Sequence, residues 1–114
     1  KVFTGDPKAV PAEKAFEMAT ILGARALHID DITGSIELGK RGDIAIVDLD
    51  SLHQTPYFNI YSALVYTTKA SDVRTVIING RLVMLDRRLL TLNESAIKKD
   101  ARHYRDKIIK SLNN

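Results

Sequence analysis

The stretch nearest to a chemical motif is Gly34-Ser35-Ile36-Glu37-Leu38-Gly39-Lys40-Arg41, which matches the phosphate-binding pattern G-x-x-x-x-G-K-S/T at three positions and fails at Arg41. That pattern works only where a strand enters the loop and a helix leaves it, so that backbone N–H groups at the helix start face the phosphates. Here residues 35–38 alternate polar and apolar like a short half-buried strand, and Asp43-Ile44-Ala45-Ile46-Val47-Asp48-Leu49-Asp50 is a second strand pattern rich in β-branched residues. Gly39-Lys40-Arg41-Gly42 is therefore expected to be the turn of a β-hairpin, its glycines supplying positive φ, and Lys40 is not expected to meet a phosphate.

The other reactive residue types are dispersed. His28, His53 and His103 occur 25 and 50 residues apart, with no H-x-H and no H-E-x-x-H, so each is expected to be a surface or cap residue. His28 falls where a helix should end, a place that tolerates left-handed backbone. Asp48 and Asp50 share one side of a strand and could form a carboxylate pair, but Asp-x-Asp where a strand enters a loop is ordinarily solvated. No serine sits in a G-x-S-x-G setting, and the absence of cysteine excludes disulfides, thiolate zinc sites and cysteine nucleophiles. No catalytic or metal-ligating residue is assigned.

The elements that would position these groups form a helical start, a β-rich middle and a helical end. Pro11 suits the first turn of a helix carrying Ala15, Phe16, Met18 and Ala19, and Thr20 is placed as the N-cap of a second helix over residues 21–27. Asn79-Gly80 between Val73-Arg74-Thr75-Val76-Ile77-Ile78 and Arg81-Leu82-Val83-Met84-Leu85 is a strong hairpin signal, since a type I′ turn needs positive φ at both central residues. Residues 52–70 are a packed loop or hold a short helix at 60–65. The last helix starts after Asn93 or Thr91 and bears one apolar stripe, Ile97, Ala101, Tyr104, Ile108 and Leu112, that must pack on something. The structural turn and cap residues are thus Thr20, Gly34, Gly39, Gly42, Asn79 and Gly80.

Composition sets outer limits. A chain of 114 residues that is 45% hydrophobic suits one modest domain. It shows no 18-residue apolar run and no signal peptide, so a soluble, cytoplasmic protein with no membrane partner is expected. The net charge of +3 resides wholly in residues 94–112, six cations against three carboxylates. That segment offers Tyr104 alone for base stacking, and on the apolar face, so a solvated helix face is expected and no nucleic-acid partner.

Three blocks in order then resemble the C-terminal end of the metal-dependent amidohydrolase superfamily: the run from Pro11 to Leu27, the run from Gly34 to Asp48, and Val73 to Val83, with Leu64-Val65-Tyr66 and Leu89-Leu90-Thr91-Leu92 adding to the likeness. Within it the S-adenosylhomocysteine/methylthioadenosine deaminase and chlorohydrolase group is most similar. Two positions depart from the family pattern, Gly42 where alanine is usual and His28 where glycine usually ends the helix.

The resemblance implies an α+β fragment: the terminal helices of a (β/α)8 barrel at residues 1–29, the C-terminal strands of a small composite β-sandwich at 30–92 with connecting loop 51–70, and a closing amphipathic helix at 93–114. A barrel needs about 250 residues, more than this chain holds. The zinc or iron of the complete enzyme, and its ligands, would lie on barrel strands before Lys1, with no cofactor in this segment. The implied partners are the remainder of the same enzyme chain, a small-molecule substrate and further copies in a homo-oligomer. The implied reaction is hydrolysis of a C–N or C–Cl bond on a purine-like or triazine-like ring by metal-activated water. The alternative is a freestanding small β-rich binding or assembly module.

Overall fold

The computed structural model describes Phe3, Gly5, Asp6 and residues 8–112. The chain opens with α1 (Ala12–Ala19) and α2 (Ile21–Ala26), followed by β1 (Ile44–Val47), α3 (Ile60–Ser62) running into a π turn at Ala63–Thr67, and a 3-10 turn at Ala70–Asp72. Then come β2 (Val73–Ile78), β3 (Arg81–Leu85), β4 (Arg88–Leu89) and the long α4 (Glu94–Leu112). The product is a mixed helical and antiparallel structure.

Pro11 takes the N-cap place of α1 with extended backbone. Thr20 precedes α2, but its hydroxyl makes no cap: it donates to the Phe16 carbonyl at 2.9 Å, because φ of −128° and ψ of −107° turn the side chain back onto α1. The end of α2 is closed by His28 at φ 56°, with the His28 N–H on the Arg25 carbonyl and the Ile29 N–H on the Ala24 carbonyl, both at 3.0 Å. These paired bonds satisfy carbonyls that a helix end would otherwise leave open.

The sheet is four-stranded and antiparallel in the order β1-β2-β3-β4. Asn79 at φ 51° and Gly80 at φ 73° form the two-residue turn of the β2–β3 hairpin, with Ile78 opposite Arg81. Asp86 at φ 43° and Arg87 at φ 68° make a second such turn without glycine, joining β3 to β4. Arg87 holds it by donating to the carbonyls of Ala70 and Val73 at 2.9 and 3.1 Å.

The expected hairpin at 35–42 is not formed. Residues 35–38 belong to no strand, and Gly42 has no positive φ. Gly34 at φ 94° and Gly39 at φ 89° turn the chain across α2 instead, where a Cβ on Gly34 would stand 2.6 Å from the Ala24 Cβ. Ile36 and Leu38, which alternation would place on one face of a strand, are 83% and 105% exposed among the described residues, and a strand without a cross-strand partner is not held.

The buried apolar residues among those described are three alanines, Ala12, Ala24 and Ala63, where α1 packs on α2, on α3 and on the π turn. Phe16 and Tyr61 extend that contact with ring centroids 5.6 Å apart. Large apolar side chains along α4, at Leu52 and Phe58, and on the 36–38 loop stay exposed. The radius of gyration is 19.3 Å, against about 13 Å for a compact domain near this size.

Candidate functional site

The densest polar grouping lies where residues 48–59 fold over the 3-10 turn before β2. Asp72 is its hub and is 6% exposed. Its carboxylate Oδ2 accepts the Lys69 N–H at 2.7 Å and meets His53 Nε2 at 2.9 Å, while its carbonyl accepts the Asp48 N–H at 2.8 Å. The Lys69 N–H, then His53, hold this carboxyl below the ordinary aspartate range against the opposing effect of burial. Two stretches are pinned to one buried side chain.

Asp48 and Asp50 do not form a paired acid and base. The Asp48 Oδ1 accepts the Asp50 N–H at 2.9 Å, a local turn, and its Oδ2 lies 3.8 Å from Arg74, which also donates to Asp86 at 3.2 Å. Both line an open cleft of about 500 Å³ with Val47, Leu49, Thr55, Pro56 and Tyr57. Gln54, 3% exposed, donates from Nε2 to the Thr68 hydroxyl at 3.0 Å, closing this loop onto the end of the π turn.

The histidines stand apart. His28 ends α2, His103 lies on α4 beside Tyr104, and among the described residues only His53 of the three meets a carboxylate. His53 is thus no free surface residue: nineteen positions separate it from Asp72, and the pairing arises only because the 3-10 turn brings Asp72 under the loop. No local motif announces Asp72, Gln54 or Arg87. Among the described residues, no three His, Asp or Glu side chains converge to hold a metal ion. His53–Asp72 orients an imidazole as a catalytic pair would, but among the described residues no hydroxyl group bonds the ring. It fastens structure.

Lys40 is likewise committed. Its Nζ donates to the Ser35 hydroxyl at 2.6 Å and to Glu37 Oε1 at 3.2 Å, and its side chain is 12% exposed. The Ser35 hydroxyl and then Lys40 hold the Glu37 carboxyl below its usual range. An ammonium engaged in this way, on a loop with no following helix, offers no phosphate cradle.

Comparison with known proteins explains a segment whose polar groups do structural work. Residues 2–83 match the amidohydrolase family. The chain belongs to that family. It is 47% identical over 107 residues, 94% of its length and 24% of the relative's, to 5-methylthioadenosine/S-adenosylhomocysteine deaminase 1 of Syntrophus aciditrophicus (strain SB). It is 40% identical over 113 residues, 99% of its length and 26% of the relative's, to the 5'-deoxyadenosine deaminase of Methanosarcina acetivorans.

Among solved structures, a zinc-bound adenosine deaminase from Xanthomonas campestris superposes with a TM-score of 0.89 at 35% identity, over 96% of this chain and 25% of that one. The zinc-complexed atrazine chlorohydrolase of Arthrobacter aurescens TC1 shares the fold with a TM-score of 0.76 at 22% identity, over 90% of this chain and 22% of that one. The chain therefore spans about a quarter of the length of the relatives it matches. No helix among the described residues is long and apolar enough to cross a membrane.

Proposed function

We propose that this chain is the C-terminal part of a metal-dependent aminohydrolase that replaces the exocyclic amine of an adenosine-type purine with oxygen from water, with the cytoplasm as its compartment. The observation that carries the reading is the 47% identity over 94% of the chain to a methylthioadenosine/S-adenosylhomocysteine deaminase. The chlorohydrolase likeness, at 22% identity, supports the fold alone.

The zinc or iron of such an enzyme does not fit the residues described here, since no three donors converge. No step of the reaction is assigned to them. Their proposed work is architectural: residues 1–29 supply the last barrel helices, 30–92 the strands of a composite sandwich with its loop at 51–70, and 93–114 the closing helix. The exposed large apolar side chains, Leu38, Leu52 and Phe58 among them, support this reading over a freestanding module, because a finished small domain covers most such surface.

The test is the complete enzyme, assayed for ammonia release and the adenine-to-hypoxanthine absorbance change with 5'-methylthioadenosine, S-adenosylhomocysteine and 5'-deoxyadenosine. Turnover of at least one is expected, and turnover of none would sink the reading. Residues 1–114 alone, free of affinity tag, are expected to retain no stoichiometric zinc or iron after dialysis. Retention that is lost on His53→Ala would show that this segment holds a metal after all.

A further inference from the structure

Three asparagines lie among the described residues, and the fold uses them differently. Asn59 and Asn93 each accept a backbone N–H from their own helix, from Ser62 and from Ala96 at 3.0 Å, and are followed by Ile60 and Glu94. Asn79 is followed by Gly80. An asparagine before glycine is open to a reaction that others undergo slowly: the backbone nitrogen of the next residue attacks the side-chain carbonyl carbon, and a glycine has no Cβ to obstruct that approach.

What the fold does with that nitrogen decides whether the reaction runs. The Gly80 N–H donates to the Gly42 carbonyl at 3.0 Å, and the Asn79 N–H donates to Asp43 Oδ1 at 2.6 Å. Asn79 at φ 51° and Gly80 at φ 73° are the left-handed pair of the turn. Attack on the Asn79 Cγ requires the bond to Gly42 to break and the Asn79–Gly80 peptide to rotate. The clasp is itself anchored: Asp43 Oδ2 accepts the Thr33 hydroxyl at 3.0 Å, the Arg41 N–H donates to the Ile32 carbonyl at 2.8 Å, and Ile44 pairs with Ile77 as β1 begins. The Arg41 cation also favours the ionised form of Asp43. A carboxylate bonded one residue from the attacking nitrogen opposes the loss of that nitrogen's proton, which ring closure requires.

We propose that Asn79 is a deamidation site guarded by Gly42 and Asp43, modified only when the contact between residues 42–43 and the 79–80 turn opens. Ring closure joins the Gly80 nitrogen to the Asn79 Cγ and expels the side-chain nitrogen as ammonia, the Gly80 proton passing through water to that leaving group. Water then adds to either carbonyl of the cyclic imide and opens it to aspartate or isoaspartate, so that one water is consumed and one ammonia released. Either product works against the clasp. A new carboxylate stands beside Asp43, and isoaspartate adds a backbone methylene to a turn that sets Ile78 opposite Arg81. One slow reaction thus turns a tight hairpin into a loosened one and records how often the turn has opened. The site does not depend on the chemistry proposed above, and a failure of either leaves the other standing.

The complete enzyme, incubated in mildly alkaline buffer with and without urea and digested with trypsin, tests this through the peptide Thr75–Arg81, in which Asn79 carries the only side-chain amide. Its conversion, read as the amide-to-acid mass gain with the two isomers separated, is expected to be at least tenfold slower in the folded enzyme than in urea. Asp43→Ala should quicken it at least fivefold in the folded state. Thr33→Val, which keeps the carboxylate and removes one of its anchors, should give an intermediate gain. Amide exchange in β1 checks that Asp43→Ala still folds, and where it does not, Thr33→Val carries the decision. Equal rates in folded and urea-unfolded enzyme, a folded rate indifferent to the substitutions, or aspartate formed without isoaspartate would each overturn the proposal.

Discussion

Residues 73–85 and residues 34–42 both carry alternating apolar residues and turn about glycine, and only the first is a hairpin. In 73–85 both central turn residues have positive φ, and β1 pairs with the far side of β2 to make the two strands part of a sheet. In 34–42 the positive-φ glycines are Gly34 and Gly39, five residues apart; the loop lies against α2 at Gly34 and against the Gly80 turn at Gly42, and residues 35–38 belong to no strand. Turn chemistry alone does not make a hairpin. A second ladder does, since an isolated pair of strands is marginal in water.

Gly34→Ala should have the largest effect on this contrast. The substitution combines a backbone at φ 94° with a Cβ 2.6 Å from the Ala24 Cβ and 3.1 Å from the Ile21 Cα. Left-handed strain and overpacking together should cost about 2–4 kcal/mol, read from urea unfolding; a loss below that of Gly39→Ala would show that the loop does not depend on contact with α2.

Gly80→Ala and Gly39→Ala come next and sharpen the comparison. Both glycines have positive φ and no atom within 4 Å of an added Cβ, so each should cost only the backbone term, about 1–2 kcal/mol. Their reach should differ. Hydrogen exchange should quicken across β2 and β3 in the first variant and stay local to 34–42 in the second; equal spread in both would break the distinction.

Asp43 ties the two regions, its Oδ1 accepting the Asn79 N–H and its Oδ2 the Thr33 hydroxyl at 3.0 Å. Those bonds, the Asn79 one foremost, lower its carboxyl below the ordinary value of 3.8. A depressed carboxyl contributes stability that is complete above the unfolded value and is lost as pH falls through the folded one. The Asn79 amide should therefore titrate below pH 3.8 in NMR spectra of the wild type and not in Asp43→Asn. Smallest of all is Lys40→Ala, expected to disturb the Ser35 and Glu37 contacts alone. Calorimetry with ATP should give no saturable binding before or after that change; binding that the substitution abolishes would revive the phosphate loop.

What could be seen in the sequence was what neighbours along the chain decide. Asn79-Gly80 specifies its own turn, and Asn93 caps α4 by accepting the Ala96 N–H at 3.0 Å. Residues whose partners come from afar were hidden. Ser35 to Leu38 has the alternation of a strand, but its strand neighbour had to come from elsewhere. Thr20 stands where a cap should, yet a backbone bend between two helices redirects its hydroxyl. The Asp86-Arg87 turn, lacking glycine, is held by Arg87 reaching back to Ala70, which no local pattern encodes. The His53–Asp72 fastening was invisible for the same reason, and family membership was legible only because three ordered blocks survive in one short segment.

The bare flank of α4 also decides when that helix melts. Elements unfold together only as far as they share buried contacts, and α4 shares almost none with the sheet. Its opening should therefore form a separate, low-temperature phase in dilute solution. Any partner that binds only the ordered helix adds stability in proportion to the logarithm of its concentration. Amide protection along residues 94–112 would then rise once the apolar flank is covered while protection in β2 changes less, so that the helix serves as a built-in gauge of coverage.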